Sequence, residues 1–470
     1  MFRVRGLFVP VRTLALLLSE ILLMAFAFYV IVVPVDSQFV GEGLRFDPSA
    51  QFALVLAALT ILTMVAVGLY NYDALLDYRS MVARVVLAFA LEAPVIFAAT
   101  LLYRDTVWPT VPPWSLWYFK AILALFACVL TTRALFLLVA DTGALKRRVV
   151  VIGAGHRAVR IRQLADRGIG CHFVAAAFVA HPGDRQQLQD YAFALDEGMD
   201  GDRLLEFTRS CGASEIVVAA DDRRGLPVGP LLACKARGIA VIEFLSFCER
   251  ESGRVDLDAL QPSWLLFSDG YRASWTARTV KRGFDIVVST AMVVLTLPLL
   301  LLTALLIKLD DHGPIFYAQE RVGHFGRRFT LYKFRSMRVD AERHSGPQWA
   351  AKHDSRVTVV GAVIRKVRID ELPQLFNVLR GDMSFIGPRP ERPYFVEQLA
   401  PQIPFYGERH AVKPGITGWA QINHPYGASL QDARQKLSYD LYYVKNHTLL
   451  LDLIILMQTV RVILFSEGAR

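Results

Sequence analysis

The sequence predicts an integral membrane protein of mixed class: an α-helical membrane block, a parallel α/β domain and a mostly helical third part that dips back into the membrane. Three observations predict it. Four apolar runs, near 12–35, 51–70, 81–103 and 116–140, are each long enough to cross about 30 Å of hydrocarbon. The stretch Val149-Val150-Val151-Ile152-Gly153-Ala154-Gly155 then sets a Gly-rich turn between a strand and a helix. A fifth apolar run, Phe284 to Ile307, carries Pro298 in its interior. Composition agrees, because 54% hydrophobic residues and a mean hydropathy of +0.35 exceed what an ordinary soluble chain carries.

The first part is expected over 1–145. Arg3, Arg5 and Arg12 precede its first apolar run, and Lys146, Arg147 and Arg148 follow its fourth. Asp36, Glu42, Arg45 and Asp47, and then Arg104 and Asp105, leave the loops after the first and third runs poor in positive charge. Both ends of the block therefore face the cytoplasm. Glu20 and Glu92, inside apolar runs, should face other helices. No cleavable signal peptide is expected, because the first run lacks a small-residue cleavage site and is long enough to span.

Over 146–260, strand-like runs at 172–180, 215–220 and 239–244 alternate with helix-like segments, as in a Rossmann-like parallel α/β domain. A working NAD site wants an acidic residue at the end of the second strand. Here that end reads His181-Pro182-Gly183, with Asp184 displaced. NAD is not expected, and Gly153 and Gly155 are weak cofactor-binding candidates. A linker is expected at 261–275.

The third part, 276–470, opens with Lys281 and Arg282 ahead of the fifth run. An unbroken span would carry the tract that follows to the far side. That tract, 312–447, holds 20 Lys and Arg against 12 Asp and Glu. The run 284–307 is therefore expected to be a re-entrant helix–break–helix turning at Pro298. The tail from Leu449 to Phe465 is interrupted by Asp452, Gln458 and Arg461, the pattern of an amphipathic helix lying in the interface. The formal charge of +9 fits anionic partners, while the lack of an interleaved basic–aromatic module argues against nucleic acid. Cys128, Cys171, Cys211, Cys234 and Cys248 are scattered without metal spacing, as reduced thiols would be.

The third part is organised around Arg365-Lys366-Val367-Arg368-Ile369-Asp370-Glu371-Leu372-Pro373-Gln374-Leu375-Phe376-Asn377-Val378-Leu379-Arg380-Gly381. Asp370 suits an N-cap, Glu371 a first turn, and Pro373 a position where it breaks no internal bond. Leu372, Leu375, Phe376 and Leu379 would form one apolar face, and Gly381 would stop the helix. A helix N-terminus suits a phosphate. Adjacent helical residues point about 100° apart, so the two carboxylates cannot share a proton face to face. They suit two jobs, one attacking and the other holding a cation.

Taken alone, such a cap is commonplace. Its surroundings are not: Gln319-Glu320-Arg321-Val322-Gly323, Tyr332-Lys333-Phe334-Arg335-Ser336-Met337, Asp370-Glu371-Leu372-Pro373-Gln374, Gly381-Asp382-Met383-Ser384-Phe385-Ile386-Gly387-Pro388-Arg389-Pro390 and Val412-Lys413-Pro414-Gly415-Ile416-Thr417-Gly418-Trp419 follow in order. Over roughly 276–470 the chain closely resembles the bacterial sugar transferase family, the polyprenyl-phosphate sugar-1-phosphate transferases. The resemblance implies transfer of a sugar-1-phosphate from a UDP-sugar, with UDP-glucose or UDP-galactose favoured, to undecaprenyl phosphate with release of UMP. It implies Asp370 as nucleophile, and Mg²⁺ (with Mn²⁺ as substitute) at Asp370 and Glu371. Arg365 matches the family's phosphate-binding position. Arg389, Arg321, Lys333 and Arg335 are further phosphate-binding candidates, with Glu320 beside them in the pocket. The re-entrant helix is implied too, with Lys281 and Arg282 near lipid headgroups. The location implied is the bacterial inner membrane, with the α/β and catalytic parts cytoplasmic, a homodimer and downstream glycosyltransferases as partners, and exopolysaccharide or capsule assembly as the setting. Two other readings are a non-catalytic scaffold of polysaccharide machinery and a membrane-bound nucleotide-sugar dehydratase. The second needs a Tyr-x-x-x-Lys pair, and no tyrosine here has a lysine four residues on.

Overall fold

A computed structural model describes residues 2–4, 7–9, 11–32, 48–70, 78–102, 114–140, 146–166, 172–184, 187–195, 200–260, 274–339, 356–424, 427 and 429–465. The loops holding Asp36, Glu42, Arg45, Asp47, Arg104 and Asp105, nearly all of the 261–275 linker, and Cys171 lie outside them. The chain divides into two compact units, Met1–Val4 with Phe8–Glu251, and Arg5–Leu7 with Ser252–Arg470.

In the first unit, helices α1 (Val11–Val32), α2 (Pro48–Ala66), α3 (Tyr78–Leu102) and α4 (Trp114–Ala140) fall on the four apolar runs. Their surface is inverted relative to a soluble bundle. Leu22, Phe26, Leu62 and Leu135 are exposed, while Glu20, Glu92, Thr60 and Arg133 are buried. Inside, Glu20 pairs with Arg133 at 3.1 Å, Arg133 also donates to the Leu69 carbonyl at 2.6 Å, and Thr60 donates to Glu92 at 2.5 Å. Both acidic residues face neighbouring helices, as charge in an apolar setting requires.

The same unit holds five parallel strands: β1 (Arg147–Ile152), β2 (Phe173–Ala180), β3 (Phe193–Ala194), β4 (Glu215–Val218) and β5 (Ala240–Glu243), in the order β3-β2-β1-β4-β5. Helices α5 (His156–Asp166), α6 (Gly201–Ser210), α7 (Val228–Ala236) and α8 (Phe244–Ser252) connect or follow them. The all-valine and isoleucine centre of β1 is fully buried, as a central parallel strand must be.

The second unit begins with α9 (Trp275–Asp311), 37 residues, of which an 18-residue stretch has a mean hydropathy of 2.5. Among the described residues it is the one helix long and apolar enough to cross a membrane. The break expected at Pro298 is not present: one helix runs through it. Both flanks of α9 nevertheless bind the same body. Arg282 donates to the Val378 and Leu379 carbonyls at 2.6 Å each, and Asp285 accepts from Ser384 Oγ at 2.9 Å and the Phe385 amide at 3.0 Å. At the far end Asp311 pairs with Arg335 and Asp310 accepts from the Val360 amide. Between them Val294, Leu295 and Leu301 are bare, Leu295 at 77% exposure.

There follow the antiparallel hairpin β6 (Phe316–Val322) and β7 (Arg328–Phe334), helices α10 (Val359–Lys366) and α11 (Gln374–Arg380), strand β8 (Ser384–Ile386) and helix α12 (Pro393–Leu399). Strand β9 (Gly415–Thr417), parallel to β8, and helices α13 (Trp419–Asn423), α14 (Leu430–Asn446) and α15 (Leu449–Phe465) complete it. Leu375, Val378, Phe385, Leu437, Leu441 and Ile455 share one core, which Val255 and Leu260 join, so residues 252–260 pack here.

Candidate active site

The acidic pair sits in the reversal between α10 and α11. Thr358 caps α10 through the Gly361 amide at 2.9 Å, and α10 ends at Lys366. Arg368 then takes a left-handed conformation (φ +62°), unusual for a side chain with a Cβ, and the chain turns in a single 3-10 turn, Ile369–Glu371. Helix α11 starts only at Gln374 and stops at Gly381 (φ +100°). Asp370 therefore does not cap a helix, contrary to expectation, because the reversal consumes the residues that would have formed its first turn. The expected apolar face also shifts: Leu375 and Val378 are buried, whereas Phe376 is 50% exposed.

The two carboxylates are almost equally buried, 9% exposed for Asp370 and 8% for Glu371, yet their surroundings differ. Glu371 accepts from Arg389 at 2.5 and 3.3 Å and from Lys333 at 3.1 Å, and Arg368 lies 3.8 Å away. Burial opposes its ionisation, but Arg389 and Lys333 overrule it and hold the carboxyl well below the usual range. Among the described residues Asp370 has no hydrogen-bond or ion-pair partner. Burial, then the negative charge of Glu371, pushes its carboxyl above the usual range against the pull of Lys333 and Arg389. Burial also lowers Lys333, with Glu371 opposing. The arrangement is a clamped carboxylate beside an uncommitted one, under three cations.

Lys333 reaches the pair because Asn377 locks its strand to α11. The Asn377 amide accepts from the Tyr332 N–H at 3.1 Å and donates to the Thr330 carbonyl at 2.8 Å. Sequence reasoning missed Asn377, whose only signal is an amide in the middle of an apolar helix.

Residues 276–466 match the description of the bacterial sugar transferase family. A putative undecaprenyl-phosphate N-acetylgalactosaminyl 1-phosphate transferase of Bacillus subtilis is 54% identical over 136 residues, 28% of this chain and 75% of the relative. The chain belongs to the bacterial sugar transferase family. A UDP-N-acetylgalactosamine-undecaprenyl-phosphate N-acetylgalactosaminephosphotransferase of Aeromonas hydrophila is 48% identical over 51% of this chain and 56% of its own length. An undecaprenyl-phosphate glucose phosphotransferase of Komagataeibacter xylinus is 42% identical over 40% and 36%. The chain thus spans about half or less of the length of these two relatives.

Within this sugar transferase the other expected site residues are placed as follows. Arg389 and Lys333 meet the pair. Arg321 braces the Arg389 loop, donating to the Pro390 carbonyl at 3.0 Å. Arg335 leaves the strand after Phe334 and turns to Asp311, so it does not join them. Arg365 stands on the last turn of α10, and Arg368, three residues on, lies 3.8 Å from Glu371. Glu320 pairs with Arg328 on an exposed edge. Lys281 pairs with buried Asp452 at 2.8 Å and Arg282 caps the end of α11, so both act as internal anchors of α9.

The glycine turn of the α/β sheet is filled from within. Gly153 (φ +135°) has no room for a Cβ, which would lie 2.6 Å from the Ala219 carbonyl oxygen. A Cβ on Gly155 would strike the Asp221 carboxylate. That carboxylate accepts from the His156 amide at 2.8 Å and the Arg157 amide at 3.1 Å, while Asp184 accepts from the Ala154 amide at 2.9 Å. The N–H groups that would receive a dinucleotide's phosphates are already bound to protein carboxylates.

Proposed function

We propose that the chain transfers a sugar-1-phosphate from a UDP-sugar to undecaprenyl phosphate at the inner face of a bacterial membrane, releasing UMP. The observation that carries this is Asp370, a buried carboxylate without a partner beside one clamped by Lys333 and Arg389. A nucleophile must keep a lone pair uncommitted on the attacking oxygen, and two anions meeting a third need neutralising charge already in place. An Asp370 oxygen attacks the sugar-linked phosphorus. The bond to the bridging oxygen breaks and UMP leaves with its electron pair, so the phosphosugar is held on the carboxylate. An oxygen of the lipid phosphate then attacks the same phosphorus and restores the free aspartate. Arg389 and Lys333 balance the charge on the phosphoryl oxygens, and Glu371 holds both in place.

Mg²⁺, or Mn²⁺ in its stead, fits the donor set at Asp370, whose oxygens are uncommitted. It does not fit at Glu371, whose oxygens are engaged by Arg389 and Lys333. Bound there with substrate phosphate, it would supply further charge neutralisation. Among the described residues no three His, Cys, Asp or Glu side chains gather as a metal cluster.

The inverted surface of α1–α4 supports reading them as four membrane spans. The bare middle of α9 between two anchored flanks supports re-entry into one leaflet. The filled glycine turn weighs against a nicotinamide-dependent dehydratase. Assay of Asp370→Asn in purified membranes, with radiolabelled UDP-sugar and undecaprenyl phosphate, tests the proposal: near-wild-type turnover overturns the nucleophile. Because the relatives' names divide between N-acetylgalactosamine and glucose, the donor panel should set UDP-N-acetylgalactosamine beside UDP-glucose and UDP-galactose.

A further inference from the structure

We infer that Arg409 and Asp440 are positioning residues that fix the backbone of Arg389 and so aim its guanidinium at the acidic pair, an inference that rests on reading that pair as the reaction centre. Arg409 lies in the 3-10 helix Tyr406–Ala411 and Asp440 on α14, and both are buried. Arg409 Nη2 pairs with Asp440 Oδ2 at 2.7 Å and donates to the Arg389 carbonyl at 3.0 Å, while Nη1 donates to the Tyr406 hydroxyl at 2.9 Å. The next two carbonyls of the loop are held as well. Pro390 accepts from Arg321 at 3.0 Å, and Glu391 accepts from the Val322 amide at 2.9 Å. Pro388 and Pro390 fix φ on either side of Arg389. Three consecutive carbonyls are therefore tethered, and the residue at the head of the run is the one whose side chain clasps Glu371 with two bonds.

A buried ion pair contributes little stability beyond what an apolar pair of the same volume would give. Its product here is geometric: a planar fork reaches a carboxylate, a hydroxyl and a carbonyl at once, which a lysine ammonium on a flexible stem cannot do in one plane. Misplacing a phosphate-binding group by about 1 Å costs on the order of 10²-fold in rate.

The test uses the full chain in lipid nanodiscs, with UDP as the binding probe and UMP release as the activity. Arg409→Lys and Asp440→Asn should each lower UDP affinity toward that of Arg389→Ala and lower kcat by about 10²-fold. In an Arg389→Ala background, Arg409→Lys should change either quantity by no more than about twofold, because its effect passes through Arg389. Equal losses in both backgrounds overturn the inference, as does wild-type UDP affinity in Arg409→Lys. Should Asp440→Asn fail to fold, Arg409→Lys, which keeps the buried charge, carries the test. A wild-type protein that neither binds UDP nor releases UMP would instead overturn the function proposed above, and the inference with it.

Discussion

Glu371→Gln should lower stability and Asp370→Asn should not, although the two residues are neighbours in the chain. Glu371 is clamped by Arg389 at 2.5 and 3.3 Å and by Lys333 at 3.1 Å. Glutamine keeps one acceptor but sets an NH₂ group against cations and leaves Lys333 and Arg389 without their counter-charge. Breaking a buried pair in this way costs about 3–5 kcal/mol. For a unit of this size, each kcal/mol lowers the midpoint of thermal unfolding by about 2–4 °C, so the fall should be about 6–20 °C. Asp370 has no bond to lose, and burial works against its charge. Asn there should leave the midpoint unchanged or raise it, while abolishing UMP release. The assay is thermal unfolding of both variants at one fixed scan rate, so that any irreversible step affects both alike, with activity measured in parallel. A Glu371→Gln midpoint within about 2 °C of wild type would refute the clamp. An equal fall in Asp370→Asn would refute the claim that Asp370 is uncommitted.

Asn377→Ala should orphan the Tyr332 N–H and the Thr330 carbonyl at about 1–3 kcal/mol each, and Asn377→Asp, which keeps only the acceptor, about half of that total; denaturant midpoints check both. In the proposed mechanism Asp370 must be ionised to attack, and burial and Glu371 hold its carboxyl above the usual range, so activity should be present above that raised value and lost as pH falls through it. The acid limb of the pH–rate profile for UMP release should lie above the usual aspartate range and move to lower pH in Glu371→Gln, where the neighbouring negative charge is gone; a limb that stays put refutes the coupling. In the α/β sheet, Asp221→Ala should free the His156 and Arg157 amides and create phosphate binding, measurable by calorimetry, that the wild type lacks.

Much of this architecture is legible in the sequence because it rests on local pattern. The four apolar runs became four helices, and the Gly153–Gly155 turn follows the central strand of a parallel sheet, because run length and turn chemistry are properties of neighbouring residues. What escaped depends on residues far away in the chain. Asp221, which fills the glycine turn, lies 66 residues beyond Gly155 and acts only once β4 sits beside β1. Helix α11 has seven residues, too few for periodicity to fix its buried face. Contact with β7 then decides it, burying Asn377 at 1% exposure and leaving Phe376 half bare. Lys333 and Arg335 look equivalent two positions apart, but the strand ends between them and the second goes to Asp311.

The acidic pair shows why motif and mechanism come apart. Asp370 and Glu371 share a backbone turn and nearly the same burial, so nothing local assigns one to attack and the other to hold. In the proposed mechanism the assignment follows from where the cations are anchored. Lys333 is set by Asn377 on α11, Arg368 by its left-handed backbone, and Arg389 by a loop whose carbonyls are tied to Arg409, Arg321 and Val322. All three converge on Glu371 and leave Asp370 open. A second protein with the same two acidic residues but without these anchors would carry two similar carboxylates and no nucleophile distinct from its neighbour.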